Sequence, residues 1–326
     1  MSHSGSLRLC TAALAGAAML VSTWVHPQSW PAKPVRIIVP FGPGGGTDIQ
    51  ARVLAAFFHE QTGQTFVIEN RTGASGLIGA EIAANSPPDG YTILFSTATL
   101  TVNTTLYGSR MKTDPVNDLA PVSWLSSTPL VLVVHPSVPA KSVQELVAVA
   151  KHRPGFLNSG INVPGSTSHL SAEMLKQMAG LEAVIVPYKG GGPAITALMS
   201  GEIDYLFATG PVASAARGTG RVRLLAVTTA KPASAFPDLP TMNTFYPGFE
   251  SDNWYAMWFP AGTPRPIVES MHALIVKALQ TERVRAFMVK EGLDPVASTP
   301  EELAAQIKSE IAKYAEVIRK GNIKLQ

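Results

Sequence analysis

Glycines and small polar residues gather where a β-branched run meets a helix pattern, in VRIIVPFGPGGGTDIQARVLAAFF, residues 35–58. A helix N-terminus carries unpaired backbone N–H groups and a partial positive charge, and glycines let the backbone approach a ligand closely. The loop therefore predicts an anion site in which the N–H groups of residues 44–47 hold a small carboxylate. Asp48 would hold a water or a ligand ammonium. In the alternative interpretation, the glycines form only a tight turn and Asp48 caps the helix.

A second junction, VPGSTSHL at residues 163–170, also joins a strand to a helix. Ser166 and Thr167 offer hydroxyl and N–H donors at that helix start, and helix capping alone would also explain them. His169 lies one position into the helix, where a lone histidine is more often structural than catalytic. A Ser166, His169 and Asp204 set lacks the strained turn that a nucleophile needs.

Two further junctions repeat the arrangement. PYKGGGPA, residues 187–194, presents Tyr188, which could stack on a ligand, and Lys189, which is either a carboxylate partner or solvated. Ser96 and Thr97 follow the third predicted strand. All these junctions lie at carboxyl ends of strands, where open α/β sheets bind ligands. We therefore expect them to share one cleft.

Catalytic and nucleotide-binding motifs are largely missing. The sequence contains no G-x-S-x-G or H-E-x-x-H, and the histidines show no metal-ligand spacing. The loop over Gly42 to Thr47 lacks the lysine of a P-loop and the third small residue of a dinucleotide fingerprint. Glu69 nevertheless lies where a ribose-binding acid would be. A nucleotide-dependent enzyme stays open as the alternative, while reversible capture of an anion without any cofactor is favoured.

The order of elements predicts an α/β protein in two parts. After Pro34, strands and helices alternate as βαβαβ, and the same rhythm starts again near residue 128. A later strand and two amphipathic helices could rejoin the first part. We predict lobe 1 over residues 30–127 plus 249–326 and lobe 2 over residues 128–248, joined by a hinge at two chain crossings.

The N-terminal 29 residues predict a signal peptide. Arg8 precedes an apolar, small-residue stretch at residues 9–25, and cleavage is expected near Ser29, with an uncleaved anchor as the alternative. The only cysteine, Cys10, lies in this segment, so the mature chain would have no thiol. The net charge of +3, without a basic run interleaved with aromatic residues, argues against a nucleic-acid partner.

Ten sequence motifs cover nearly the whole mature chain: WPAKPVRIIVPFGPGGGTDIQAR (30–52), VIENRTGASGLIGAE (67–81), PPDGYTILFS (87–96), DLAPVSWL (118–125), PLVLVVHPSVPAKSVQELVAVAK (129–151), GSTSHLSAEML (165–175), VPYKGGGPAITALMSGEID (186–204), LLAVTTAKPASAFPDLPT (224–241), FPAGTP (259–264) and STPEELAAQIKSEIAKYAEVI (298–318). In this order they resemble the substrate-binding proteins of tripartite tricarboxylate transporters, also called the Bug or TctC family.

This resemblance implies a type II periplasmic binding protein, with two α/β lobes around a hinge and a central cleft. It implies a monomer in the periplasm that binds a di- or tricarboxylate, an acidic amino acid or an aromatic acid. Delivery would be to a two-component membrane permease driven by an ion gradient; a sensor role is the alternative. The ligand-binding residues that we expect are Phe41, Pro43, Gly44, Gly45, Thr47, Asp48, Ser96, Thr97, Ser166, Thr167, His169, Tyr188 and Thr209.

One departure from the family pattern follows the strand IDYLF. The family usually continues with an aspartate or serine, whereas this chain reads ATGPVA at residues 208–213. A side chain that often faces the ligand is thus replaced by an uncharged one. We expect this change to favour a ligand without an ammonium group.

Overall fold

The computed structural model describes residues 30–321, which form ten strands, ten α-helices and three short 3-10 turns. The strands are β1 (Val35–Val39), β2 (Phe66–Asn70), β3 (Thr92–Thr97), β4 (Leu119–Val134), β5 (Asn158–Ile161), β6 (Val184–Pro187), β7 (Tyr205–Thr209), β8 (Arg223–Val227), β9 (Asp252–Pro260) and β10 (Asp294–Pro295). The helices are α1 (Gly46–Thr62), α2 (Leu77–Ala84), α3 (Thr99–Tyr107), α4 (Val143–His152), α5 (Thr167–Ala179), α6 (Gly191–Ser200), α7 (Gly210–Ala216), α8 (Arg265–Gln280), α9 (Glu282–Lys290) and α10 (Pro300–Gly321).

One long strand links the two halves of the sheet. The strand order is β2-β1-β3-β9-β4-β7-β5-β6, and β8 and β10 also pair with β4. The first part of β4 runs antiparallel to β9, from Leu119 opposite Pro260 to Pro129 opposite Asp252. Its last part, from Leu130 onward, pairs with β7 and β8. β4 and β9 therefore set the distance and angle between the halves.

Four of the five apolar clusters of the described residues separate along the same line, whereas the fifth, of Val102, Leu170, Tyr314 and Ile318, joins the two sides. Two clusters of buried side chains draw on residues 35–125 and 254–307. Two others draw on residues 130–249. Each core is formed by residues on opposite faces of short strands and on one side of the covering helices, which removes apolar surface from water. We keep the names lobe 1 and lobe 2 for these packed units; the domain boundaries given above stay a prediction.

Most strands and helices lie where the periodicity of the sequence predicts them. Gly63 ends α1 in the left-handed conformation, as expected for glycine after a helix. The N-cap of α1 is Gly45.

Three helices were not expected. α3 is rich in threonine, α7 is short and holds Pro211 in its first turn, and α9 follows α8 after one residue. Threonine and proline are poor helix formers, so the packing around α3 and α7, and not local propensity, explains why they form.

Within residues 30–321, no helix is both long enough and apolar enough to cross a bilayer. The predicted signal peptide and Cys10 lie outside the described residues.

Candidate functional site

The starts of several helices meet at one cavity between the lobes. α1 comes from lobe 1, α5 and α6 come from lobe 2, and the residues around their first turns line a cavity of about 30 Å³. The lining residues are Phe41, Gly45, Gly46, Thr47, Thr97, Thr99, Asn162, Val163, Ser166, Thr167, Gly190, Gly191, Thr209, Asn253 and Tyr255. Both lobes contribute to this cavity, and most of the residues that line it are buried.

The α1 start leaves its backbone donors to the cavity. Gly45, the N-cap residue, is extended, and no side chain caps the first N–H groups of the helix. The next residue, Gly46, has no room for a side chain. A Cβ there would overlap the hydroxyl of Tyr255 and lie 2.9 Å from the hydroxyl oxygen of Thr209. Glycine therefore lets two hydroxyl groups, one from each lobe, reach the positive end of this helix.

Asp48 does not line the cavity. Its carboxylate accepts hydrogen bonds from the Gly44 N–H (3.0 Å), from Arg52 (2.9 and 3.0 Å) and from Asn70 (3.1 Å). Burial alone would raise the pKa of Asp48, but these partners outweigh burial and hold it below the usual value. The side chain thus neither caps α1 nor is free to take a ligand ammonium. It holds the glycine loop in place, together with the Asn70 amide that also bonds to the carbonyl of Phe41.

The α5 start is capped by Ser166, whose hydroxyl accepts from the His169 N–H (3.3 Å) and donates to the Val163 carbonyl (2.7 Å). The Thr167 hydroxyl donates to Asn253 Oδ1 (3.4 Å), a contact between the lobes. His169 lies outside the cavity lining, and its Nδ1 accepts from the Gly165 N–H (3.1 Å). Burial lowers the pKa of His169, which keeps the ring neutral and able to accept this bond. Its position fits a structural role.

Three buried polar atoms at the cavity make no hydrogen bond of ordinary geometry within the described chain, although Thr209 and Asn253 lie close enough to the Tyr255 hydroxyl to oppose the rise in its pKa that burial causes. They are the hydroxyl oxygens of Thr209 and Tyr255 and the Oδ1 of Asn162. Tyr255 is 1% and Thr209 6% exposed. Burial raises the pKa of Tyr255 to about 12, so its hydroxyl stays protonated and can donate. Buried polar groups normally have partners, so this set of groups on one cavity is available to bind polar atoms of a ligand.

The glycine loops of the two lobes touch backbone to backbone at one end of the cavity. The Gly42 N–H donates to the Lys189 carbonyl (2.7 Å). A Cβ on Gly192 would overlap the Pro43 carbonyl oxygen and lie 3.0 Å from the carbonyl carbon of Gly44. Glycines at these positions therefore permit the close approach of the lobes.

Some expected residues lie elsewhere. Pro43, Gly44 and Tyr188 line a separate outer groove of about 550 Å³, where the Tyr188 hydroxyl donates to Glu202 (2.7 Å). Ser96 is buried within β3 and is not part of the cavity lining.

The expected residues that do meet at the cavity are Phe41, Gly45, Thr47, Thr97, Ser166, Thr167 and Thr209. Their part in ligand binding stays a prediction. The sequence analysis had not selected Thr99, Asn162, Val163, Gly190, Gly191, Asn253 or Tyr255. The last two lie on β9, and only its pairing with β3 and β4 brings them here.

Glu69, the candidate ribose-binding acid, is committed to a surface ion-pair network. Its carboxylate accepts from Arg36 (2.8 and 3.2 Å) and from Arg71 (3.1 and 2.8 Å). Hydrogen bonds from Arg36 lower the pKa of Glu69, and those from Arg71 lower it further. Partial burial opposes them, and the resulting pKa is about 2. A ribose hydroxyl would have to compete with two guanidinium groups for these oxygens.

Comparison with known proteins decides the family. Residues 50–323 match the profile of the tripartite tricarboxylate transporter family receptor, TctC. The chain belongs to this family. It is 37% identical over 305 residues to the protein BugT of Bordetella pertussis, which covers 93% of each chain.

Two solved structures have the same fold. One is Rpa4515 of R. palustris with adipate, with a TM-score of 0.88 at 36% identity, covering 90% of this chain and 99% of that one. The other is the periplasmic binding protein BugD, with a TM-score of 0.88 at 31% identity, covering 91% and 100%.

These findings confirm the type II periplasmic binding protein fold, with two α/β lobes around a cleft, and the assignment to the Bug or TctC family. They contradict the nucleotide-dependent enzyme that the glycine loop and Glu69 had left open, because the family and its structural neighbours are solute-binding proteins. The chain is therefore a TctC-type solute-binding protein, not an enzyme. A periplasmic location agrees with its family.

Proposed function

We propose that this TctC-type protein captures a small carboxylate between its lobes in the periplasm and delivers it to a two-component membrane permease. The observation that carries the proposal is the cavity between the lobes, where uncapped helix starts and two unpartnered hydroxyl groups converge. The adipate held by the related Rpa4515 supports the class of ligand. Delivery to a permease rests on the family alone.

The donors around the cavity suit a carboxylate. The backbone N–H groups around Gly45 and Thr47 would donate to carboxylate oxygens of the ligand from lobe 1. Those around Ser166 and Thr167 would donate to the ligand from lobe 2. Hydrogen bonds to a charged acceptor are stronger than neutral ones, and water exclusion on closure strengthens them further. Phe41 and Val163 supply apolar walls for a hydrocarbon portion.

The lobes would act as a clamp. In an open form each lobe presents only part of the donor set, so ligand can enter and leave. A ligand favours the closed form only by its greater affinity for it, which here arises from donors that meet only on closure. No cofactor is needed for this cycle.

The test begins with protein purified from its exported form without refolding, analysed by native mass spectrometry for a co-purified small molecule. Isothermal titration of the stripped protein with adipate, citrate, glutamate and an aromatic acid follows. We expect a carboxylate of this set, or a co-purified carboxylate, to bind with 1:1 stoichiometry. Failure of all carboxylates to bind, or chemical turnover of a bound one, would overturn the proposal.

Uptake in the native host separates transport from sensing. A strain lacking this chain should lose uptake of the labelled ligand, and plasmid-borne protein should restore it. If uptake persists while a ligand-dependent transcriptional response disappears, the protein is the sensor component and delivery to a permease is wrong.

A further inference from the structure

We propose that the cavity selects carboxylates that carry no positively charged group, and that the hydroxyl groups of Thr209 and Tyr255 are the residues that enforce this choice. The inference rests on the proposed function, which it narrows from carboxylates in general to anions without an ammonium.

The first observation is the absence of acidic side chains around the cavity. Of the described residues, none that line it is an aspartate, glutamate, lysine or arginine. Two acids directly adjoin lining residues in the sequence. The oxygens of Asp48 are occupied by Arg52, Asn70 and the Gly44 N–H. Asp252, beside Asn253, is not part of the cavity lining, and burial raises its pKa. An ammonium enclosed here would therefore lose its water without gaining a carboxylate, which is costly for a buried charge.

The second observation is the pair of hydroxyl groups at the cavity. Thr209 at the end of β7 and Tyr255 on β9 come from different lobes, both are more than nine-tenths buried, and neither hydroxyl makes a hydrogen bond of ordinary geometry, although Thr209 and Asn253 lie close enough to Tyr255 to oppose the rise in its pKa that burial causes. Their hydroxyl groups meet beside Gly46, at the positive end of α1. Protonated hydroxyls next to a helix N-terminus favour an anionic oxygen, not a cation. Both lobes would thus hold the same carboxylate.

The acceptors at the cavity are all neutral. They are hydroxyl oxygens, backbone carbonyls and two amide oxygens, of which Asn253 Oδ1 already accepts from Thr167 and Asn162 Oδ1 has no partner. An ammonium has three donors and a full charge, so neutral oxygens can satisfy its donors but supply no opposite charge. Asn162 is instead suited to a ligand hydroxyl or a water, and with its amide turned over it would be one more donor.

Position 209 also offers the means to reverse the selection. Thr209 is the N-cap of α7, and its side chain makes no capping bond. Aspartate is a favoured N-cap residue, so Thr209→Asp fits the local backbone. It would place a carboxylate at the cavity where the threonine hydroxyl now lies. Thr209→Asn is the matched control, with the same shape and no charge.

The experiment measures dissociation constants by isothermal titration for pairs that differ only by an amino group: glutarate and glutamate, adipate and 2-aminoadipate, and 3-phenylpropionate and phenylalanine. In the wild-type protein we expect the member of each pair without the ammonium to bind more tightly, with a dissociation constant lower by on the order of 100-fold. Thr209→Asp should shift the glutamate-to-glutarate ratio toward glutamate by at least about tenfold relative to Thr209→Asn.

Each result has one meaning. A wild-type protein that binds glutamate as tightly as glutarate would overturn the inference while leaving carboxylate capture intact. Equal ratios in Thr209→Asp and Thr209→Asn would overturn the role of position 209. If no member of any pair binds at millimolar concentration, the narrowed ligand class is wrong, and the co-purified compound found by mass spectrometry then decides whether carboxylate capture itself survives.

Discussion

Gly192→Ala should hold the protein in an open form. Gly192 is the second residue of α6 and faces the glycine loop of lobe 1. An added methyl group would overlap the Pro43 carbonyl oxygen and lie 3.0 and 3.1 Å from backbone atoms of Gly44 and Gly45. All three obstacles are backbone atoms, held by the Asp48 hydrogen bond to Gly44, so no side chain can turn away to make room.

The cost falls on the closed form alone. Overpacking in a tight contact typically costs about 1–3 kcal/mol. Separation of the loops would also weaken the bond from the Gly42 N–H to the Lys189 carbonyl, worth about 1 kcal/mol. The two costs together are about 2–4 kcal/mol, and affinity changes tenfold per about 1.4 kcal/mol, so the ligand should bind roughly 30- to 1,000-fold more weakly. In the open form alanine favours α6 slightly over glycine, so the unliganded protein should not lose stability.

Three measurements test this reasoning: the dissociation constant of the ligand, the radius of gyration by small-angle X-ray scattering with and without saturating ligand, and the unfolding temperature of the unliganded protein. Wild type should become more compact with ligand, whereas Gly192→Ala should compact less. Ser200→Ala, an exposed substitution at the other end of α6, is the control and should behave as wild type. Normal affinity and full compaction in Gly192→Ala would refute a closure that depends on this contact.

Tyr255→Phe should weaken ligand binding about tenfold without lowering the stability of the unliganded protein, because the hydroxyl it removes has no partner there; lost stability in urea unfolding would contradict this. Glu69→Gln should lower the free energy of unfolding by about 1 kcal/mol at pH 7, because the pKa of Glu69 is about 2 in the folded protein. This difference between variant and wild type should shrink as pH falls from about 4.5 toward 2. Burial lowers the pKa of His169, so wild-type stability should fall below about pH 6.5. His169→Asn, which keeps an acceptor for Gly165, should flatten that fall in thermal unfolding at pH 5 to 7.

The sequence predicts the alternation of strands and helices because each buried strand and each helix stripe has its own period of apolar residues. β1 and α1 show why this works: VRIIV is continuously apolar, and Gly63 marks the end of the helix. α3 shows why it fails, since TLTVNTTLY carries no apolar stripe of its own and is helical because α10 packs on it. Long-range packing of this kind leaves no local signal.

Positions at helix starts are easier to predict from sequence than the direction of each side chain. Asp48, His169 and Tyr188 all stand at promising junctions, yet each has a partner that only the folded chain supplies. The carboxylate of Asp48 finds Arg52 one helical turn away, and Tyr188 finds Glu202. Conversely, Tyr255 looks like one more apolar strand residue until β9 is placed between β3 and β4.

The arrangement of helix ends also explains why closure should require the ligand. α1 approaches from one lobe and α5 and α6 from the other, each with the positive end of its dipole toward the same small cavity. Bringing these ends together without an anion adds mutual repulsion and removes water from unpaired donors, both of which favour the open form. An enclosed carboxylate attracts the positive helix ends and gives the donors a partner, so both effects then favour the closed form. A ligand that also carried an ammonium would cancel part of this gain, so the electrostatics that drive closure are the same as those that exclude amino acids.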